Sequence, residues 1–211
     1  MEVQVQPLSG FARRAPQRDG FVFSQGLGTA PRGGITELLG RESAGRTALA
    51  QSLLATATLG GEIAAWVDCG DAFDPVSAAK AGADLGKMLW LRCGHRVEIA
   101  LKGADMILHS GGFGLVILDI CDASGAALQR IPLSYWYRIR RAVENTPTVM
   151  LILSRQSAAR ACAARQFVLD RAMLEWRGRA PFQTIAGRKS QAVSRKPNSG
   201  GAVVLTALGE A

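Results

Sequence analysis

The sequence predicts an α/β protein whose mostly parallel sheet is flanked by helices and extended at its C-terminal end by antiparallel strands. Three observations carry that expectation. Between residues 35 and 153, short β-rich apolar runs alternate with stretches of helical period. Two of those runs, residues 113–120 (FGLVILDI) and 148–153 (TVMLIL), are almost continuously apolar, as strands covered on both faces are. After Ser154 the helical period gives way to period-two alternation. At 211 residues the chain suits one sizeable domain. It divides into an N-terminal extension over 1–32, a core over 33–154 and a basic β extension of the same domain over 155–211.

Taken in order, residues 1–32 hold Pro7, Pro16 and Pro31 with little periodicity, so they form an extension that Phe21 and Phe23 can anchor. Residues 35–39 make the first strand and 46–59 the first helix. Strands at 62–68 and 88–93 enclose a short helix at 75–81. A helix over 96–109 places Val97, Ala100, Leu101, Ala104, Ile107 and Leu108 on one face at spacings of three and four. The strand at 113–120 is followed by a helix over 133–144 with Trp136, Ile139 and Val143 inward, then by the strand at 148–153. Residues 157–165 are Ala/Arg-rich and fit either a short helix or a mobile loop. Residues 171–177, 182–192 and 201–208 are strands, the last two separated by the turn-forming Lys196-Pro197-Asn198-Ser199-Gly200.

Composition removes several classes. With 48% hydrophobic and 20% charged residues the chain is neither disordered nor fibrous. Four cysteines without a C-x-x-C pair, and only two histidines, suggest neither a zinc module nor a disulfide framework. Free thiols, no apolar stretch near the roughly 20 residues that span a bilayer, and no signal pattern at the N-terminus lead to the expectation of a cytoplasmic protein. The net charge is +8, and ten of the basic residues lie between 154 and 201 against only Asp170 and Glu175. Arg155, Arg160, Arg165, Arg177, Arg179, Arg188, Lys189, Arg195 and Lys196 are therefore candidate contacts to DNA or to an acidic protein surface. The competing reading is a solvated face that blunts edge strands.

The sharpest motif is Gly40-Arg41-Glu42-Ser43-Ala44-Gly45-Arg46-Thr47, between the first strand and the first helix. It is G-x-x-x-x-G-[K/R]-[S/T] at the place of a phosphate-binding loop. The glycines let the backbone wrap with its N–H groups inward, the helix N-terminus favours the anion, and Thr47 offers a hydroxyl to magnesium. Arg46 stands where hydrolysing enzymes carry lysine; it keeps the charge, but a planar guanidinium is larger and less adjustable than an ammonium. Asp119, at the end of FGLVILDI, either holds magnesium through water or caps the loop that follows.

Over roughly residues 33–153 these stretches resemble the bacterial recombinase RecA, in GGITELLGRESAGRTALA, AAWVDCGDAFDPVSAAKAGADLGKMLW and GLVILDI. The D-x-x-x-A-x-D-P-x-x-A-x-x-x-G pattern of the middle stretch is the most specific. The resemblance implies a RecA-like P-loop core with a nucleotide held by Gly40, Gly45, Arg46, Thr47 and Asp74, and magnesium by Thr47 and Asp119. It also exposes departures. The glutamate that orients water in RecA is matched by Gly70, with Asp71 next to it as a substitute. The tyrosine that stacks on adenine is matched by Ser77. The segment after Ser154 lacks the glycine-rich DNA-binding loop, and the RecA C-terminal domain is missing.

A small RecA-like chain with these changes and a basic β-rich tail is similar to the ImuA family. That resemblance implies an accessory without catalysis in SOS-induced translesion synthesis, its site vestigial. No cofactor is required, with ATP and Mg2+ at most weakly bound. The implied partners are RecA, the polymerase homologue ImuB, a DnaE-type error-prone polymerase through ImuB, and DNA. It further implies a cytoplasmic, nucleoid-associated protein that caps or joins RecA filaments and forms no long filament of its own. The alternative is an active DNA-dependent ATPase of the RecA/RadA type in recombinational repair.

Overall fold

A computed structural model describes residues 19–23 and 27–169, and beyond them the backbone of three strands. The chain opens with a hairpin of β1 (Phe21–Phe23) and β2 (Gly28–Ala30), then alternates β3 (Gly34–Gly40), α1 (Arg46–Leu59), β4 (Ile63–Asp68), α2 (Pro75–Lys80) and β5 (Met88–Arg92). Next come α3 (Val97–Ser110), β6 (Phe113–Asp119), α4 (Gly125–Arg130), α5 (Leu133–Val143), β7 (Val149–Ser154) and β8 (Arg165–Leu169). The strands β9 (Met173–Arg177), β10 (Thr184–Ser194) and β11 (Ala202–Ala207) follow. One nine-stranded sheet runs β11-β10-β8-β3-β7-β6-β4-β5, with β9 also on β10. The six strands from β8 to β5 are parallel, and those around β10 are antiparallel.

The alternation of side chains along each parallel strand feeds two cores. Leu38, Trp66, Leu115, Ile117 and Leu151 face α1 and the hairpin, against Leu49, Leu53 and Leu54. Ile35, Val67, Val116, Leu118 and Ile152 face α3 and α5, against Ala100, Ala104, Trp136 and Ile139. The buried face of α3 is the one its spacing predicts. Phe21 and Phe23 anchor the hairpin, the latter edge-on to Phe167 with ring centroids 5.5 Å apart. Arg32 ties it to the sheet: its guanidinium stacks 4.7 Å over Phe21 and donates to both carboxylate oxygens of Glu62.

Of the two expectations for residues 157–165, the short helix is the one seen, a single 3-10 turn at Arg160–Cys162 running straight into β8. One feature differs from expectation. β8 lies beyond the expected core boundary at 154 and is a sixth parallel strand beside β3. Its apolar residues are too few and too interrupted to announce a strand alone. The reason it docks is Glu37, wholly buried in the middle of β3. Its carboxylate accepts from Ala158 N (2.8 Å), Ala159 N (2.7 Å), Ser157 Oγ (3.0 Å) and Gln166 Nε2 (2.7 Å). Four donors compensate the buried charge and fix the path from β7 to β8.

Candidate phosphate-loop site

The parallel strands end together at one edge of the sheet, and the loop after β3 wraps over that edge. Gly40 admits no side chain, because a Cβ there would stand 2.7 Å from the carbonyl oxygen of Leu169 on β8. Gly45 caps α1 with φ of 95°, a left-handed conformation that costs glycine little. No side chain caps the N-terminus of α1 and no acidic residue lies in its first turn, so the first N–H groups remain for a ligand. A cleft of about 330 Å³ opens there, lined by Ser43, Gly45, Arg46, Thr47, Asp74 and Ser77 among others. Loop and α2 are thus brought together as the sequence predicts.

The individual groups differ in exposure and in partners. Arg46 is only 6% exposed, and its Nη1 has no hydrogen-bond partner among the described residues. Thr47 is exposed in the cleft, whereas Asp119 is buried beneath it and does not line it. The Asp119 carboxylate accepts from Cys121 N at 3.1 Å. Burial pushes its pKa above the usual carboxylate range, partly offset by that bond and by the Arg46 charge. Asp74 lines the cleft, but its oxygens accept from Val76 N, Ser77 N and the Ser77 hydroxyl as the cap of α2. The Ser77 hydroxyl, followed by Val76 N–H, holds Asp74 below the usual carboxylate range. No described residue lining the cleft is aromatic.

Around the matched water-orienting position the geometry is specific. A Cβ on Gly70 would begin 1.9 Å from Asp122 Oδ2, so the Asp122 carboxylate fills the space a longer side chain would enter. Asp71, at φ of 57°, turns to the β5 side, where Arg92 donates to both its oxygens. That pair, the hydrogen bond first, holds the Asp71 carboxyl low, and Asp71 does not line the cleft. Asp68 shapes the same loop by accepting from Ala72 N, Phe73 N and Trp90 Nε1.

Sequence reasoning misses Asp122 and Arg92, which only the end-to-end alignment of β4, β5 and β6 brings here. It also misses Glu37, whose signal is a charge inside an otherwise apolar strand.

Of the basic candidates, Arg155 pairs with Glu42 of the loop at 2.5 Å, Arg160 is exposed on its turn, and Arg165 is half-buried on β8. Arg177, Arg188 and Lys189 fall on β9 and β10, whose backbone alone is described; Arg179, Arg195 and Lys196 lie outside the described residues. Among the described residues no helix is long and apolar enough to cross a membrane.

Comparison with known proteins agrees with this layout. The family model "RecA N-terminal domain" matches residues 19–129, which hold the hairpin, the loop, the cleft and β6. Protein RecA of Thermus aquaticus is 37% identical over 100 residues, 47% of this chain and 29% of its own length. That of Thermotoga petrophila is 37% identical over 118 residues (56% and 32%), and that of Clavibacter michiganensis 42% over 94 (44% and 26%). The matched part is about a third or less of those relatives' length. A parallel sheet with a glycine loop at its carboxyl edge, and a family match over half the chain, lead to one conclusion: the chain belongs to the RecA N-terminal domain family.

Proposed function

We propose that the chain is a RecA-like accessory of DNA repair that does not hydrolyse ATP and acts in SOS-induced translesion synthesis. In this reading it binds RecA and ImuB, with a DnaE-type polymerase joined through ImuB, and favours mutagenic bypass over recombination. Family membership supports the repair context. The observation that carries the loss of hydrolysis is Gly70, whose side-chain space holds Asp122, while the adjacent Asp71 is tied to Arg92 away from the cleft. In this reading a water at a γ-phosphate lacks the glutamate that RecA carries at the matched position, since Asp122, whose carboxylate takes that space, does not line the cleft.

The test is phosphate release by the purified protein with ATP, magnesium and single-stranded DNA. Release at the level of a protein-free control supports the reading; DNA-stimulated turnover like that of a RecA protein overturns it.

The intact cleft with Thr47 at its rim favours a second reading, an active ATPase of the RecA/RadA type in which Asp71 swings from Arg92 to serve as base. It requires that Arg46→Ala and Asp71→Asn each abolish turnover.

A further inference from the structure

The helix α5 leaves one face uncovered among the described residues. Trp136, Ile139 and Val143 are buried against the sheet. On another side α5 is joined to α3 by the Tyr135 hydroxyl, which donates to Leu101 O, and by the Arg138–Asp105 ion pair at 3.1 Å. On the face that remains, Leu133 is 38% exposed and Tyr137, one helical turn on, 46%. We propose that this face docks an acidic segment of a partner protein, Leu133 and Tyr137 receiving its apolar side chain and Arg130, Arg141 and Arg160 its carboxylates. This deepens the proposed function and rests on its reading that the chain acts by binding proteins.

Charge identifies the occupant. Arg130 closes α4, Arg138, Arg140 and Arg141 lie in α5, and Arg160 sits on the turn that packs against α5. Asp105 and Glu144 neutralise two of these, through Arg138 and, at 3.5 Å, Arg140. Arg130, Arg141 and Arg160 are exposed and make no ion pair among the described residues. Uncompensated cations around an apolar pair attract a partner that bears carboxylates and repel a basic one. Arginines in a last turn also suit the helix dipole, but that role explains neither Arg160 nor an exposed leucine and tyrosine. Both flanks of the face are held in place, which lowers the entropy lost on docking. The Arg138 guanidinium lies 5.1 Å from the Tyr135 ring centroid, and the turn bearing Arg160 is the one that Glu37 fixes.

A protein fits this face better than a nucleic acid. A phosphate backbone crossing α5 would meet Asp105 and Glu144 as like charges, and Leu133 offers it no charge to pair with. Protein interfaces instead concentrate tyrosine and arginine, with apolar contact at the centre and charge around it. The face is also independent of the phosphate loop. α5 packs on the α3 side of the sheet, whereas α1 and α2, which line the cleft, pack on the other.

The experiment is titration of the full chain with overlapping synthetic peptides that span RecA and ImuB, read by fluorescence anisotropy and by amide NMR shifts, with single-stranded DNA as a second probe. The expected result is saturable binding of peptides that combine several carboxylates with a leucine, isoleucine or phenylalanine, with shifts centred on residues 130–141 and on Arg160. Tyr137→Glu and Arg141→Glu should each weaken those peptides by about tenfold or more. Lys80→Glu, the same change of charge as Arg141→Glu but on exposed α2 across the sheet, should leave them within about twofold. Should a variant not fold, the shift map on the natural chain decides alone. No saturable binding of acidic peptides, shifts centred elsewhere, or shifts of 130–141 by DNA but not by acidic peptides overturns the proposal. Binding of intact RecA and ImuB to the natural chain is a separate readout. Acidic peptides seated on α5 while neither intact protein binds would overturn the partner reading of the proposed function and leave this inference standing; intact partners bound equally well by Tyr137→Glu would do the opposite.

Discussion

Gly70 and Asp122 form a steric pair, because the carboxylate of one stands where a side chain of the other would begin. Because Asp122 is exposed and the clash is with the end of its side chain, Gly70→Glu should displace that carboxylate at a cost below about 1 kcal/mol in urea unfolding, a cost that Asp122→Ala should relieve in the double variant. Additive single effects would show that the two do not touch. Asp71 depends on Arg92 in a different manner. Its folded pKa lies below the ordinary 3.8, so the favourable pairing is present above that value and is lost as pH falls through the depressed one. Carboxyl NMR should give Asp71 a midpoint below 3.8, returning towards 3.8 in Arg92→Gln. The buried thiol of Cys69 is pushed up to about 11, chiefly by burial and then by Cys93. It should resist alkylation at pH 8 in the folded protein and react on unfolding.

Among the elements, β8 shows how one buried charge decides a topology. Glu37 holds residues 157–159 and Gln166 together, so Glu37→Ala leaves two buried backbone N–H groups, on Ala158 and Ala159, unpaired. We expect a loss of about 3–5 kcal/mol, and fast hydrogen exchange at those two amides in the native state. Retained protection there would contradict the assigned role. The strands and helices with a clear period were legible in the sequence: the buried face of α3, the apolar β6 and β7, and the glycine loop before α1 all stand where their patterns put them. β8 and α4 were not. Their five and six residues carry no full period, and what stabilises β8 is a partner more than a hundred residues earlier.

At the scale of the whole molecule, Arg177, Arg188 and Lys189 fall on β9 and β10 at the antiparallel end of the sheet, while the cleft lies at the carboxyl edge of the parallel part. A charge change on β10 is therefore a cleaner probe of DNA contact than a deletion after Ser154, which would strip β8 from β3. If the basic segment contacts DNA, Arg188→Gln should lower the slope of log affinity against log salt by about one unit. The loop and cleft stand without a glutamate at Gly70, and on the proposed function the chain does not turn ATP over. The most direct test of that account is a single-turnover experiment, with protein in excess over radiolabelled ATP, magnesium and single-stranded DNA present. The account predicts ATP recovered intact after an hour; conversion to ADP and phosphate within minutes would contradict it.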